Sequence, residues 1–264
     1  MLLKDKVLII SGIGPGLGVK LAVEAAREGA KALAIGARTQ AKLDDAEKRI
    51  LEVNPACKVL KCVGDIRQEA DCQAFVAAAH KAFGRIDGLV NSAFNWGAPS
   101  RADVADLKVW KDVIDTNLIG TMQMIQAVAP VMKAQKGGAI VNISTQATVK
   151  PNETGEGGYA ASKGALNAAS KYLAFELGAD NIRVNVVRMG WMWGIPVQGY
   201  VSYASKQKNV PEKTLIDAIS TNIALKRMVT DGECARAALF MVSDYSSAVT
   251  GAALDANGGE WMPT

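Results

Sequence analysis

The 264-residue chain has one histidine, His80, and four cysteines, Cys57, Cys62, Cys72 and Cys234, with no C-x-x-C pair among them. A closed zinc site gathers four such ligands, so the chain is read as metal-free. His80 lies in an Ala-rich helical stretch and reads as an ordinary helix residue. Acid–base chemistry therefore falls to Tyr, Lys, Asp or Glu. Scattered cysteines are read as reduced thiols, which places the protein in the cytoplasm. No apolar run reaches the ~18 residues of a membrane span. The opening Met1-Leu2-Leu3-Lys4-Asp5-Lys6 lacks a signal-peptide layout, so no membrane partner is expected. Charge is balanced as well: 30 Lys and Arg against 26 Asp and Glu leave +4. Bases and acids mingle on one helical stretch from Lys42 to Arg49, a solvated face that gives no case for nucleic acid. No Pro/Ser-rich linker divides the chain, so residues 1–264 are read as a single domain.

What is present is alternation. Short apolar runs at Lys6–Ile10, Ala32–Ile35, Val59–Val63, Leu89-Val90, Ala139–Ile143 and Val184–Val187 suit strands covered on both faces. Between them the pattern predicts helices over Gly16–Glu28, Gln40–Val53, Gln68–Phe83, Leu107–Lys133 and Gly158–Leu177. This order implies a doubly wound, mainly parallel α/β sheet between two helical layers. A last strand near Ala253–Asp255 would close one edge. The segment Trp191–Leu225, rich in Trp, Met, Tyr, Gly and Pro, is read as a substrate lid around residues 191–225 without a strand of its own.

The first strand runs into Ser11-Gly12-Ile13-Gly14-Pro15-Gly16-Leu17-Gly18 and then a helix. Glycines there let the backbone turn and approach a pyrophosphate, while free N–H groups at the helix start offset its charge. No G-K-[ST] ending follows, which disfavours a nucleoside triphosphatase. With Ser11, Gly12, Gly16 and Gly18 in these places, the chain resembles the short-chain dehydrogenase/reductase family, a group with the Rossmann fold. Asp65-Ile66 resembles the family's adenine-contacting dipeptide. Asn91-Ser92-Ala93 resembles its N-N-A-G turn, with Phe94 replacing the Gly. Asn117 resembles its structural and catalytic Asn, Tyr159-Ala160-Ala161-Ser162-Lys163 fits Y-x-x-x-K, and Thr250-Gly251 with Asn257-Gly258-Gly259 resembles the closing motif. The resemblance implies cofactor contacts at Leu17, Asn91, Ala93, Gly190 and Met192, and a homotetramer or homodimer.

Tyr159 and Lys163 fall on one helical face, a turn apart. A neighbouring ammonium, helped by a cationic nicotinamide, is expected to lower the phenol's pKa from about 10. Tyr159 then serves as acid for reduction or base for oxidation; the resemblance gives Lys163 a second hydrogen bond, to the nicotinamide ribose. The substrate-binding hydroxyl is less settled. Thr145 takes the place of the family's Ser but precedes Tyr159 by one residue more, which implies an insertion between Ala147 and Gly158. Thr145 is favoured, with Ser144 the alternative. The second strand ends Ile35-Gly36-Ala37-Arg38, with no acid to hold a ribose 2′-OH. Arg38 can grip a 2′-phosphate in bidentate fashion, so NADP is favoured over NAD by a small margin.

Phe94, Trp96, Trp191, Trp193 and Tyr200 are expected to line an apolar substrate pocket at the carboxyl edge of the sheet. That pocket suits a bulky hydrophobic secondary alcohol or ketone, such as a cyclic terpenoid, steroid or aryl compound. The alternatives are a 3-oxoacyl reductase and a catalytically weak dinucleotide-binding sensor.

Overall fold

A computed structural model describes residues 1–152 and 155–263. Seven strands form one parallel sheet: β1 (Val7–Ser11), β2 (Ala32–Ala37), β3 (Lys58–Val63), β4 (Gly88–Asn91), β5 (Gly138–Thr145), β6 (Ile182–Met189) and, last in sequence, Ala253–Ala256. Their spatial order is β3-β2-β1-β4-β5-β6, with Ala253–Ala256 at the far edge. Winding reverses between β1 and β4, so a crevice opens beyond the carboxyl ends of those two strands.

Alternate strand residues feed two separate cores. Leu8, Ile10, Leu33, Ile35, Val90 and Val141 face one layer of helices, made of α1 (Leu17–Arg27), α2 (Gln40–Val53) and the late helix Asp231–Val242. Ile9, Ala34, Leu89, Ile140 and Val184 face the other, with α3 (Glu69–Phe83), α5 (Thr121–Gln135) and α6 (Gly157–Leu177). Between α3 and α5 comes α4 (Leu107–Ile114), whose N-cap Asp106 accepts from the Lys108 N–H at 2.8 Å. Burial on both faces is why these strands read as unbroken apolar runs.

Three expectations are corrected. The helix read over Leu107–Lys133 is divided by a π-helical turn, Asp115–Gly120, between α4 and α5; such turns insert one residue per turn and collect at functional sites. The Trp191–Leu225 segment does carry a strand: β7 (Met192–Trp193) pairs with β8 (Val229–Thr230). It continues into α7 (Ile195–Lys208) and α8 (Glu212–Thr221). The helix Asp231–Val242, α9, was not foreseen; the final strand Ala253–Ala256 is β9. α9 opens on a capping box in which Thr230 Oγ1 accepts from the Glu233 N–H at 3.2 Å and Glu233 Oε2 accepts from the Thr230 N–H at 2.8 Å.

Gly12 ends β1 with φ +98°, and a Cβ built on it would lie 2.1 Å from the Ala93 nitrogen. Only glycine lets β1 and the chain after β4 approach this closely. Gly12→Ala is expected to lose about 1–3 kcal/mol from backbone strain alone, a fall of roughly 2–12 °C in Tm. Gly14→Ala, whose added methyl would meet nothing within 4 Å, should stay within about 0.5 kcal/mol of the parent. Thermal unfolding followed by circular dichroism reads both; equal midpoints for the two variants would overturn the steric account.

Candidate active site

The crevice is a continuous cavity of about 1470 Å³, larger than a drug-sized ligand alone requires. At one end lie Ser11, Gly12, Gly16, Leu17 and Gly18. Gly18 is a second obligate glycine, because its Cβ would sit 2.1 Å from the Gly12 carbonyl oxygen. Gly16 caps α1 without a side-chain hydrogen bond, which leaves N–H groups of the first turn free to meet an anion. Further along the wall come Arg38, Lys42, Asp65, Ile66 and Arg67. Arg67 grips Asp65 through Nη2 to Oδ2 at 2.6 Å, which holds that carboxyl below the usual range, with a smaller pull from Arg38. Arg38 is exposed, and neither it nor Lys42 has an ion pair among the described residues. Ile66 packs where only Gly120 of the π turn makes room: a Cβ there would meet Ile66 Cγ1 at 2.8 Å.

Tyr159 and Lys163 reach the cavity from the first turns of α6. Lys163 is buried, and its Nζ donates to the Ile143 carbonyl near the end of β5 at 2.8 Å. Burial pushes its pKa down to about 7. Tyr159 moves the opposite way from the expectation above: burial, and then the nearby Glu156 carboxylate, raise its phenol. Sequence spacing gives proximity, but the shared apolar surroundings disfavour both charged forms. A phenolate here needs positive charge beyond what Lys163 supplies. Ser144 and Thr145 also line the cavity. Ser144 Oγ is buried without a partner among the described residues. Thr145 Oγ1 accepts from the Ala147 N–H at 3.2 Å, leaving its own proton to donate. The loop that follows begins with a 3₁₀ turn, Gln146–Thr148; Glu153 and Thr154, inside the expected insertion, lie outside the described residues.

Asn117 sits in the π turn, fully buried and off the cavity wall. Its Oδ1 accepts from the Asn95 N–H at 2.7 Å, and its Nδ2 donates to the Asn95 carbonyl at 2.8 Å and to Ser162 Oγ at 2.9 Å. It thereby ties the loop after β4 to the helix bearing Tyr159. Asn91 is likewise behind the wall rather than in it, with Nδ2 donating to Asn142 Oδ1 at 2.9 Å; its expected cofactor contact is not made by an exposed side chain. Ala93, Gly190 and Met192 do line the cavity. Trp110 was missed: its indole packs where a Gly158 Cβ would lie 2.8 Å from Cδ1, seating the start of α6. The paired glycines before Tyr159 were the available signal.

At the far end stand Phe94, Trp96, Trp191 and Tyr200. The Phe94 and Tyr159 rings are 6.2 Å apart and tilted, and the Trp191 and Tyr200 rings 5.6 Å. Trp193 is not among the lining residues, a correction explained by strand alternation: it follows Met192 in β7, so when Met192 faces the cavity Trp193 faces away. Two polar residues there were unforeseen: Gln146, and Glu156, whose Oε2 accepts from Trp96 Nε1 at 2.9 Å.

A family model described as enoyl-(acyl carrier protein) reductase matches residues 12–260. Levodione reductase of Leifsonia aquatica is 30% identical over 97% of this chain and 94% of its own. A crystal structure of levodione reductase, 30% identical, superposes with a TM-score of 0.90 over 98% of both chains. The protein belongs to the short-chain dehydrogenase/reductase family. The chain is thus an oxidoreductase of that family, and other members are comparably similar. A 3α-hydroxysteroid dehydrogenase of Mediterraneibacter gnavus is 33% identical, covering 98% of both chains. A 3-oxoacyl-[acyl-carrier-protein] reductase of Thermotoga maritima is 34% identical over 98% of this chain and 99% of its own. L-sorbose reductase from Gluconobacter frateurii, solved with NADPH and L-sorbose, has a TM-score of 0.92 at 26% identity, covering 100% of this chain and 99% of that one. No helix among the described residues of this short-chain dehydrogenase/reductase is long and apolar enough to cross a membrane.

Lys163 carries a pH signature. Its folded pKa of about 7 lies below the unfolded value near 10.4, so between these pH values the unfolded chain binds more protons. Linkage then makes the burial penalty grow as pH falls from about 10 and level off below about 7. Relative to wild type, Lys163→Met should gain stability from pH 9.5 to pH 7 and stay level below that, in urea unfolding of both proteins. A stability difference constant from pH 9.5 to 6.5 would refute the buried-amine account.

Proposed function

We propose that this protein interconverts a bulky, hydrophobic cyclic ketone and its secondary alcohol using a nicotinamide dinucleotide, with Tyr159 moving the proton. The observation that carries the reading is Tyr159 beside the buried Lys163, on a cavity that runs unbroken to the glycine turn. The residues present fit such a dinucleotide: obligate glycines at 12 and 18 clear space beside an uncapped helix start. When bound, the nicotinamide supplies or takes up the hydride. Leu17 and Gly16 would offer N–H groups to the pyrophosphate; Ala93, Gly190 and Met192 would contact the ring end. Lys163 would reach the ribose of such a cofactor, and its ammonium, together with the charge an oxidised ring supplies, would offset the burial that raises the phenol. Thr145, or Ser144 with its unpartnered hydroxyl, donates a hydrogen bond to the carbonyl oxygen. Asn117 acts as a positioning residue through Asn95 and Ser162. Residues 191–225 close over the aromatic end as a lid, and the domain works as one unit.

We infer NADP(H) rather than NAD(H). β2 ends at Ala37 with no carboxylate for a ribose 2′-OH. Arg38 and Lys42 are two cations without an ion pair among the described residues where a 2′-phosphate would lie, and Arg67 already occupies Asp65.

A panel of cyclic ketones, steroid ketones and a 3-oxoacyl thioester, assayed with both reduced cofactors, tests the substrate reading. Turnover confined to the thioester would replace it with 3-oxoacyl reduction. Tight cofactor binding with no turnover on any compound would leave a sensor. Tyr159→Phe should lower kcat by ~10²-fold or more while the dissociation constant of reduced cofactor, read from its fluorescence, changes little. Unaltered kcat removes Tyr159 from proton transfer. Arg38→Ala should weaken NADPH binding about 10–100-fold, the worth of one charge-assisted hydrogen bond or two, and leave NADH unchanged. An equal loss for both cofactors would count against phosphate recognition.

A further inference from the structure

Among the described residues, the aromatic end of the cavity contains one carboxylate. Glu156 lies at the start of α6, three residues before Tyr159, and lines the cavity beside Phe94, Trp96 and Tyr159. Two neutral donors fix it: Trp96 Nε1 to Oε2 at 2.9 Å, and Asn152 Nδ2 to Oε1. The backbone is fastened there too, with Ser100 in a β-bridge to Glu156 and the Ser100 N–H donating to the Gly155 carbonyl at 2.8 Å. No Lys or Arg forms an ion pair with Glu156 among the described residues. An indole and an amide orient a carboxylate without cancelling its charge, and low-dielectric aromatic walls spread that charge across the space where substrate must sit. The charge is felt at Tyr159, whose phenol it helps to raise.

We propose that Glu156 is a specificity-determining residue that restricts the enzyme to uncharged ketones and alcohols and turns away those bearing a carboxylate or phosphate. The inference rests on the substrate end assigned above. The opposing charges in the wall are Lys163, behind Tyr159 on the same helix, and Lys208 at the exposed end of α7. Arg38, Lys42, Asp65, Arg67 and Asp71 line the β2–β3 end. None of these is hydrogen-bonded to Glu156, so an anionic group placed among the aromatic rings would meet like charge at close range. The same carboxylate leaves acceptor sites for a hydroxyl on the substrate, since a carboxylate can accept about four hydrogen bonds.

The test compares cyclohexanone with 4-oxocyclohexanecarboxylate, one ring with and without charge, in wild type and Glu156→Gln. Wild type should prefer the neutral ring by ~10-fold or more in kcat/KM at low salt. Glu156→Gln, which retains an amide oxygen for Trp96, should narrow that gap at least fivefold, and 0.5 M salt should narrow it in wild type. A second readout separates charge from mere support of the loop. The phenolate form of Tyr159 is the base in alcohol oxidation, so removing the neighbouring negative charge should move the rising limb of the oxidation pH profile to lower pH. An unchanged substrate ratio with an unmoved limb overturns the proposal, as does a wild-type preference for the carboxylate. Competition for the cofactor-loaded wild type between cyclohexanecarboxamide and cyclohexanecarboxylate, followed by reduced-cofactor fluorescence, needs no variant: tighter carboxamide binding supports the proposal, and equal or weaker binding defeats it. That assay also separates the two readings, because absent turnover of both rings would defeat ketone reduction while the binding ratio would still report on Glu156.

Discussion

An amine buried with no carboxylate partner among the described residues is the constraint around which the site is built. Lys163 is fully enclosed on α6, and its Nζ donates to the carbonyl of Ile143 in β5. Burying an ammonium is expensive, and the displacement of its pKa to about 7 expresses that expense directly. The surrounding scaffold has to hold α6 firmly enough to keep the amine in place. Asn142 Nδ2 donates to Ser170 Oγ at 2.9 Å, and Ser170 Oγ to the Leu166 carbonyl at 2.7 Å. Asn91 joins the same line from β4. These buried amides and hydroxyls fasten helix to sheet, with directional bonds that fix rotation about the helix axis as well as distance. An apolar face alone would fix the distance and leave the rotation loose.

The π turn serves the same end from the other side. Its extra residue brings Asn117 to face the backbone of Asn95, which it both donates to and accepts from. Trp96 follows immediately and reaches Glu156. Ser162, also bonded to Asn117, donates to the Tyr159 carbonyl at 2.7 Å. A single buried amide thus sets the loop carrying the aromatic wall and the helix carrying the phenol relative to each other. Its position behind the cavity, rather than in it, suits that work: a side chain that spends its hydrogen bonds on two neighbours is poorly placed to give them to a ligand.

The strands were legible because burial on both faces leaves consecutive apolar residues such as Leu8-Ile9-Ile10, and the glycine turn because close backbone approach tolerates no Cβ. Other features left a weaker trace. The π turn keeps the helical periodicity of its flanks, so Leu107–Lys133 reads as continuous. α9 is apolar on nearly every side in Cys234-Ala235-Arg236-Ala237-Ala238-Leu239, without the stripe that marks a surface helix; its Thr230–Glu233 capping box was the visible sign. Tyr159 and Lys163 share one wall of the cavity, yet burial raises the phenol that the neighbouring ammonium was expected to lower, because four-residue spacing fixes proximity and says nothing of dielectric. Glu156 was overlooked for a related reason: one acid in a glycine-rich loop looks solvated until the Trp96 indole is brought to it from sixty residues away.

The C-terminal residues show how contacts distant in sequence finish such a site. Glu260 accepts from Gln146 Nε2 and from Lys150 Nζ, the latter at 2.9 Å. An ionised carboxylate only accepts, so it dictates which way the Gln146 amide lies: nitrogen to Glu260, oxygen away. That oxygen is buried without a partner among the described residues, and a Cβ at Gly190 would meet it at 2.8 Å and the Asn257 Cβ at 2.7 Å. The glycine after β6 therefore answers to packing against Gln146 and Asn257, not to a turn. Arg188, paired with Asp255 at 2.7 Å and stacked 4.8 Å from the Trp261 ring, holds the same tail against β6. The side chain next to Thr145 is in this way oriented by a residue more than a hundred positions later, a dependence that only the folded chain reveals.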